Sequence, residues 1–188
     1  MGAGADTLNV GAIASVALTN SVSGVETVVI QGNTLTLSGA ITGVDDANDT
    51  GMNVGANTLV INSGGSVDGA IHGAGGGTVN FGGDAAGGTF SLGGIIEDLN
   101  LTVTSGTLST NGFAAGGNVA LASVTVAAGA TVNADDNITT SGALNMDGTM
   151  NIGAGDTVSA DSVDADGAGT FDFAVANNAG TNVVGGLT

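Results

Sequence analysis

Residues 131–152 read TVNADDNITTSGALNMDGTMNI, and this stretch decides the fold of the chain. Its large apolar residues recur at a regular interval, at Val132, Ile138, Leu144 and Met150. Short alternation of apolar and small polar residues, interrupted by Gly, Asp and Asn, indicates short strands separated by turns. Three such strands make a coil of about 18 residues, which predicts a solenoid of stacked coils.

The same strand pattern recurs along most of the chain, with Thr or Asn often starting a run of alternating residues. Clusters that contain glycine separate the runs and supply turns. Helix signals are nearly absent because glycine interrupts almost every window of helical length, and the best helix candidate, residues 12–18, is short. The predicted strands cover residues 34–37, 58–61, 78–81, 89–92, 99–103, 124–126, 131–133, 144–146, 150–152 and 170–173.

The spacing of apolar anchors on successive coils favours one fold over its main alternative. We expect Leu59, Val79, Leu101, Val119 and Ile138 to stack on one another. Their mean spacing of about 20 residues is typical of a parallel β-helix, also called a β-solenoid. The alternative, an antiparallel β-sandwich, has longer strands joined by hairpins. We therefore predict an all-β parallel β-helix of short strands with Gly, Asn and Asp turns.

The composition predicts a thin core. The chain of 188 residues has 36 Gly and no Pro, Cys, Trp or Tyr, so few large side chains are present to fill a globular interior. Its 42% hydrophobic content is nevertheless too high for a disordered chain. We expect one elongated solenoid domain over residues 1–188, with residues 1–31 as an atypical cap or strand region.

The charge balance excludes several partners. The chain has no Lys or Arg against 17 acidic residues, which gives a formal net charge of −17. Affinity for nucleic acid comes largely from Lys and Arg contacts to phosphates, so nucleic acid is not an expected partner. An anionic membrane surface would repel the chain. Because no apolar run reaches the length of a membrane span, this segment is not expected to insert into a membrane.

Three stretches resemble a known group of proteins: residues 32–39 (GNTLTLSG), 57–65 (NTLVINSGG) and 124–133 (VTVAAGATVN). They are similar in repeat style to the passenger regions of autotransporters and to related large bacterial surface proteins, which include adhesins and S-layer-like proteins. The resemblance covers most of the chain and includes no diagnostic motif. It implies a right-handed β-helix, secretion, and an extracellular or bacterial cell-surface location, and it transfers no functional residue.

Three acidic clusters are the candidate chemical sites. Carboxylates crowded on a turn suit calcium, which takes about six to eight oxygen ligands and would offset their mutual repulsion. Alternatively the clusters are solvated turns, since Asp and Asn are also the residues that turns prefer. No cluster has the spacing of an EF-hand. The candidate calcium ligands are Asp45, Asp46 and Asp49, then Asp135 and Asp136, then Asp161, Asp164 and Asp166.

The sequence does not predict an enzyme. His72 is the only histidine, and no neighbour in sequence completes a catalytic or metal-binding group, so a surface or ladder position is expected for it. The enzymatic alternative is a β-helix enzyme that cleaves carbohydrate, with Asp135 and Asp136 as acid and base. Such an enzyme would have to bind its substrate without any Arg, Lys, Trp or Tyr, which argues against it.

Two functions are compatible with these features. The first is a non-enzymatic extracellular structural protein whose partner is another copy of itself and which assembles into a filament, sheath or surface layer. The second is an adhesin passenger domain that presents a rod and binds a host or cell-surface ligand. Electron microscopy separates the two, because regular filaments or sheets are expected of the first and isolated rods of the second.

Overall fold

The computed structural model shows an all-β chain whose paired strands run parallel. It describes residues 5–11, 14–45, 51–73, 76–91, 94–111, 118–164, 169–173 and 184–187. These residues contain strands and no helix, and the sheets stack as a β-solenoid of about seven turns. The predicted parallel β-helix is therefore confirmed, and the antiparallel alternative is wrong. Within this described part of the chain, no helix is long and apolar enough to span a membrane.

Each coil contributes one strand to each of three faces. Strands β1 to β21 form seven consecutive sets of three. Within a face, strands pair with the strand three places further along the chain, with one break in the first face and one in the third. The first face contains β1 (Thr7–Val10), β4 (Thr27–Ile30), β7 (Met52–Asn53), β10 (Ile71–His72), β13 (Ile96–Glu97), β16 (Asn118–Leu121) and β19 (Asn137–Thr140). A backbone hydrogen bond of 3.0 Å from Asp98 N to Ala120 O connects the end of β13 to β16.

The second face is a continuous ladder, and the third is divided. The second face contains β2 (Val16–Leu18), β5 (Thr34–Leu37), β8 (Thr58–Ile61), β11 (Thr78–Phe81), β14 (Asn100–Val103), β17 (Ser123–Val126) and β20 (Ala143–Met146). The third face has one sheet of β3 (Val22–Ser23), β6 (Ala40–Thr42) and β9 (Ser66–Val67). Its other sheet has β12 (Thr89–Phe90), β15 (Thr107–Ser109), β18 (Thr131–Ala134), β21 (Thr149–Ile152) and β23 (Thr170–Phe173).

One long strand bridges two faces. Strand β22 (Val158–Asp164) pairs through Val158 and Ser159 with β19 on the first face, and through its last three residues with β20 on the second. Strand β24 (Val184–Leu187) pairs with β22 in turn. At the other end of the chain, β1 pairs with β4 over four residues, so residues 7–10 join the same ladder. The helix candidate 12–18 instead includes strand β2.

The strand registers confirm most of the predicted stacking. Val132 of β18 pairs with Met150 of β21, so the predicted length of this coil is correct. Leu59 pairs with Val79, and Val79 pairs with Leu101, as their spacing in the sequence predicts. Inward apolar residues of one face therefore lie directly above one another from coil to coil.

One predicted stacking partner is wrong. Leu101 pairs with Val124 of β17 and not with Val119, which comes earlier in the chain. Val119 lies in β16 on the first face, where it pairs with Ile138. Both Val119 and Val124 are buried apolar strand residues, so local sequence does not distinguish them. Only the pairing of strands assigns each one to its face.

The core consists of inward-pointing apolar side chains that stack in columns from coil to coil. Each face contributes a single layer of these side chains. Because side chains alternate across a strand, β5 buries Leu35 and Leu37 and leaves Thr34 and Thr36 half-buried on the outside. The main column of the second face contains Leu35, Leu59, Val79, Leu101, Val124 and Leu144, all of them fully buried. A thin core filled by β-branched and leucine side chains is what the composition predicts.

The corners are narrow, which explains the glycine content. A Cβ at Gly148 would lie 2.5 Å from the carbonyl oxygens of Ala127 and Ala130 in the preceding coil. No larger residue fits there without moving backbone. Gly129, in contrast, has open space around it but a φ of +82°, so at this corner glycine supplies a left-handed turn.

Candidate functional site: an acidic edge and an uncharged face

Acidic residues concentrate along one corner of the solenoid, where the third face of one coil leads into the first face of the next. We call this corner the acidic edge. Backbone hydrogen bonds stack its residues: Glu26 N donates to Asp6 O at 3.2 Å, and Asp45 N donates to Glu26 O at 3.0 Å. All of its carboxylate residues are exposed or half-buried. The acidic edge consists of Asp6, Glu26, Asp45, Asp68, Asp135, Asp136 and Asp156.

Some of these carboxylates hold neighbouring coils together. Asp68 accepts hydrogen bonds from the backbone N–H of Gly43 at 2.9 and 3.0 Å and from that of Val44 at 3.1 Å. Glu26 Oε2 accepts one from Asp6 N at 2.7 Å. Hydrogen bonds to a charged acceptor are stronger than neutral ones, so these carboxylates stabilise corners where the strand ladder is interrupted. On another corner, Asp84 Oδ2 accepts a bond from Ser63 N at 3.1 Å.

The densest part of the edge lies between β18 and β22. Thr110 is fully buried, and its Oγ1 accepts hydrogen bonds from the backbone N–H groups of Asp135 at 3.0 Å and Asp136 at 3.2 Å. Ser109 Oγ donates to Asp135 Oδ2 at 2.8 Å. Asp136 Oδ2 is buried and has no hydrogen-bond partner among the described residues. Partial burial, followed by the negative charges of Asp136 and Asp135, raises the pKa of the Asp156 carboxyl above its ordinary value.

This raised pKa predicts a stability that depends on pH. A carboxyl whose pKa is higher in the folded state than in the unfolded state stabilises the fold only while it is protonated. That stabilisation is fully present below the pKa of the unfolded state and is lost as the pH rises through the pKa of the folded state. Ionised Asp156 is therefore unfavourable at neutral pH. We expect Asp156→Asn to melt at a higher temperature than the wild type at pH 7, by a small amount because the carboxyl is mostly solvated. Below the ordinary aspartate pKa of about 3.9 the two should melt alike.

Thermal unfolding by circular dichroism at both pH values checks this expectation. Asp147→Asn, at an exposed corner position away from the acidic edge, is the matched control for loss of one charge. An Asp156→Asn variant that is less stable than the wild type at pH 7, or that gains equally at both pH values, would contradict it.

The structure brings together only part of the predicted calcium ligands. Asp135 and Asp136 lie side by side on the acidic edge, next to Asp156, which sequence analysis did not single out. Asp45 lies on the same edge but in a coil much earlier in the chain. Asp161 and Asp164 lie in strand β22 and not in a turn. Outside the described residues lie Asp46, Asp49 and Asp166.

No metal centre is formed in the part of the chain that the structure describes. There, no three His, Asp or Glu residues come together in a way that could hold a metal ion. Asp135 is exposed and engages Ser109, whereas Asp161 and Asp164 are exposed on a strand. Calcium binding at these clusters stays a prediction.

His72 occupies a ladder position on the first face. It lies in β10, in register with Asn53 on one side and Glu97 on the other. The residue is half-buried, and its Nε2 is buried without a hydrogen-bond partner among the described residues.

The second face is uncharged along its whole length from β2 to β20. Its outward residues are threonine, asparagine, serine, alanine and valine, and all are exposed or half-buried. The first acidic side chain on this face is Asp164 of β22, which is in register with Asn145. The outward residues of the uncharged face are Ala17, Thr34, Thr36, Thr58, Val60, Thr78, Asn80, Asn100, Thr102, Ser123, Thr125, Ala143 and Asn145.

Side chains of the uncharged face bond to their neighbours in adjacent coils. Ser123 Oγ donates to Asn100 Oδ1 at 2.7 Å, and Asn145 Nδ2 donates to Thr125 Oγ1 at 3.5 Å. Thr104 Oγ1, at the corner beside this face, donates to Asn80 Oδ1 at 2.6 Å. These contacts restrain five of the outward side chains, so less side-chain freedom is lost at those positions when a partner binds.

Sequence analysis missed the separation of charge from this face. The signal is present in the printed sequence, because the strand segments between residues 34 and 146 that form the second face contain no Asp or Glu. A net charge of −17 describes the whole chain and does not show where the charge lies. The structural role of Asp68 was also missed, since its partner Gly43 lies 25 residues away.

Comparison with protein-family models, with curated proteins and with solved structures gave no significant match to this chain. The features that the molecule itself establishes are the parallel β-solenoid, the acidic edge and the uncharged face.

Proposed function

We propose that this chain is a non-enzymatic extracellular structural protein that self-assembles into a filament, sheath or surface layer. The observation that carries the proposal is the separation of charge: a chain of net charge −17 has no charged side chain on its second face from β2 to β20. Copies of an acidic protein repel one another, so they associate only through surfaces that bury no carboxylate. The uncharged face is such a surface.

The proposed location rests on the repeat style. Autotransporter passengers and large bacterial surface proteins use stacked, Gly-, Thr- and Asn-rich coils, and we propose a bacterial cell-surface or extracellular location for this chain. Its regular hydrogen-bonded ladders suit a scaffold, because each coil is stabilised by the next. The adhesin alternative rests on the hydroxyl and amide groups of the uncharged face, which could bind an uncharged ligand on a host or cell surface.

Electron microscopy and sedimentation of the purified protein test the proposal. At about 0.15 M NaCl the Debye length is about 8 Å, so repulsion between facing surfaces is partly screened. We expect regular filaments, sheets or bundles that increase with protein concentration and with salt. Isolated rods at every salt and protein concentration would instead favour the adhesin.

A comparison of two salts tests the predicted calcium ligands. Assembly is measured by light scattering in calcium chloride and in sodium chloride at matched ionic strength. If the acidic clusters bind calcium, it should promote assembly more than sodium does, because a bound ion neutralises charge that salt only screens. Equal effects of the two salts would show that the clusters bind no calcium.

A further inference from the structure

We propose that the uncharged face is the contact between two copies of this chain, which pack through it face to face. This inference rests on the proposed self-assembly and names the surface and the partner. The partner is a second copy because the contact has to satisfy two conditions that another copy meets: absence of charge and an identical repeat along the rod.

The first condition is electrostatic. In a coil of three faces, the acidic edge lies between the third and first faces and does not border the second. Two copies that meet through their second faces therefore keep their acidic edges on the far sides of the pair. The described carboxylates closest to the contact are Asp84, Asp98 and Asp147 at its corners and Asp164 on the next strand beyond β20. All four are exposed, so they form a solvated rim around the contact.

The second condition is the repeat. Outward residues of the uncharged face are stacked in register at about 4.8 Å from strand to strand. A second copy carries ridges and grooves of the same spacing, so two faces can interdigitate along their full length, as paired sheets with identical ladders do. The same surface patch on both copies makes a two-fold contact.

The third face is the competing surface, and two observations disfavour it. Its described outward strand residues from β3 to β21 are also uncharged, but it borders the acidic edge directly, and Ser109 on this face bonds to Asp135. Its ladder is also divided between β9 and β12, whereas the second face is continuous. A contact through the third face would bring the acidic edges of two copies towards each other.

The size of the contact predicts its strength. Seven strands of about four residues cover about 440 Å² of each copy, from the usual strand spacing and rise. A stable interface covers about 800 Å² per partner, so a single pair is weak. Pairing should therefore depend steeply on concentration and be reinforced where many copies associate.

Two double variants with the same added charge test the location of the contact. Thr58→Asp with Thr125→Asp places two carboxylates on the uncharged face, and Thr107→Asp with Thr149→Asp places two on the third face. All four threonines are half-buried outward strand residues. Sedimentation equilibrium measures the association constant, and circular dichroism with thermal melting confirms that each variant folds.

We expect the second-face variant to associate at least about tenfold more weakly than the third-face variant, because it buries carboxylates that lack partners. Equal weakening by both variants, or wild-type association of the second-face variant, overturns this inference and leaves the proposed assembly standing. If the wild type does not associate at any concentration or salt, the proposed function fails, and this inference fails with it.

A cross-linking experiment covers the case in which the charged variants do not fold. The chain has no cysteine, so a single introduced one reports its own contacts. Thr78→Cys lies in β11, the central strand of the uncharged face, and Thr131→Cys on the third face is its control. Oxidation should convert the Thr78→Cys protein into covalent dimers at least about tenfold faster than the control. Equal rates overturn the proposed contact.

Discussion

Leu144→Asp should lower the free energy of unfolding by at least about 4 kcal/mol, since it combines the loss of a buried leucine with the burial of a charge. Leu144 is fully buried in the main column of the second face, between Val124 and Val163. Because the Leu144 side chain points into the closed interior, a carboxylate at this position would be buried away from water. A chemical-denaturation series measures the change.

Asp147→Asn is the control for this variant. Asp147 is exposed at the corner that follows the same strand, so its substitution should change stability by less than about 0.5 kcal/mol. Equal effects of the two substitutions would show that Leu144 does not face the core. A total stability of about 5–15 kcal/mol is usual for a domain, so the Leu144→Asp protein should be largely unfolded at moderate denaturant.

Phe81→Ala should cost about 3–5 kcal/mol, which is usual for truncating a buried phenylalanine. Phe81 is fully buried, and its ring packs against that of Phe90 with centroids 5.5 Å apart and planes tilted by 55°. Because protein interiors are closely packed, the surrounding side chains fill the cavity that the truncation leaves only in part. Thermal melting and denaturant titration both report the loss.

The adjacent residue supplies the matched control. Asn80→Ala removes an outward side chain of the same strand and the 2.6 Å hydrogen bond from Thr104, so a cost of about 0.5–1.5 kcal/mol is expected. If Phe81→Ala costs no more than Asn80→Ala, the Phe81–Phe90 contact does not stabilise the core.

The longer strands of this solenoid alternate between two kinds of residue. Fully buried apolar residues point inward, and partly exposed residues, most of which carry a hydroxyl or amide group, point outward. The first kind supplies the hydrophobic stabilisation and the second kind sets what the surface can bind. Most of the described carboxylates lie at corners, where Asp68 and Glu26 accept backbone hydrogen bonds. Stability and surface chemistry are therefore carried by different positions of the same strands.

Most strands of the second face and about half of those of the third were predicted, whereas no strand of the first face was, including the four-residue strands β1, β4, β16 and β19. Residues 34–37, 58–61 and 78–81 were predicted at the bounds that β5, β8 and β11 have. Strands β7 and β10 are two residues long, too short for an alternation to be visible. They are strands only because neighbouring coils on both sides pair with them.

The acidic edge likewise has one feature that the sequence predicted and others that it did not. Sequence placed Asp135 and Asp136 together, because they are adjacent in the chain. It did not place Asp156 beside them, since that contact crosses from one coil to the next. In the same way it did not reveal that Thr110 accepts the backbone N–H groups of both aspartates.

The sequence by itself determined the all-β class, the alternation of inward and outward residues in the strands that it predicted, and coils of about 20 residues. These properties are local, because alternation and turn residues act within a few positions of the chain. Only the tertiary structure decided that Leu101 stacks on Val124, that seven of the carboxylate residues align on one edge, and that this edge does not border the uncharged second face. Stacking partners come from successive coils, and corners of variable length set which residues meet, so no local pattern specifies them.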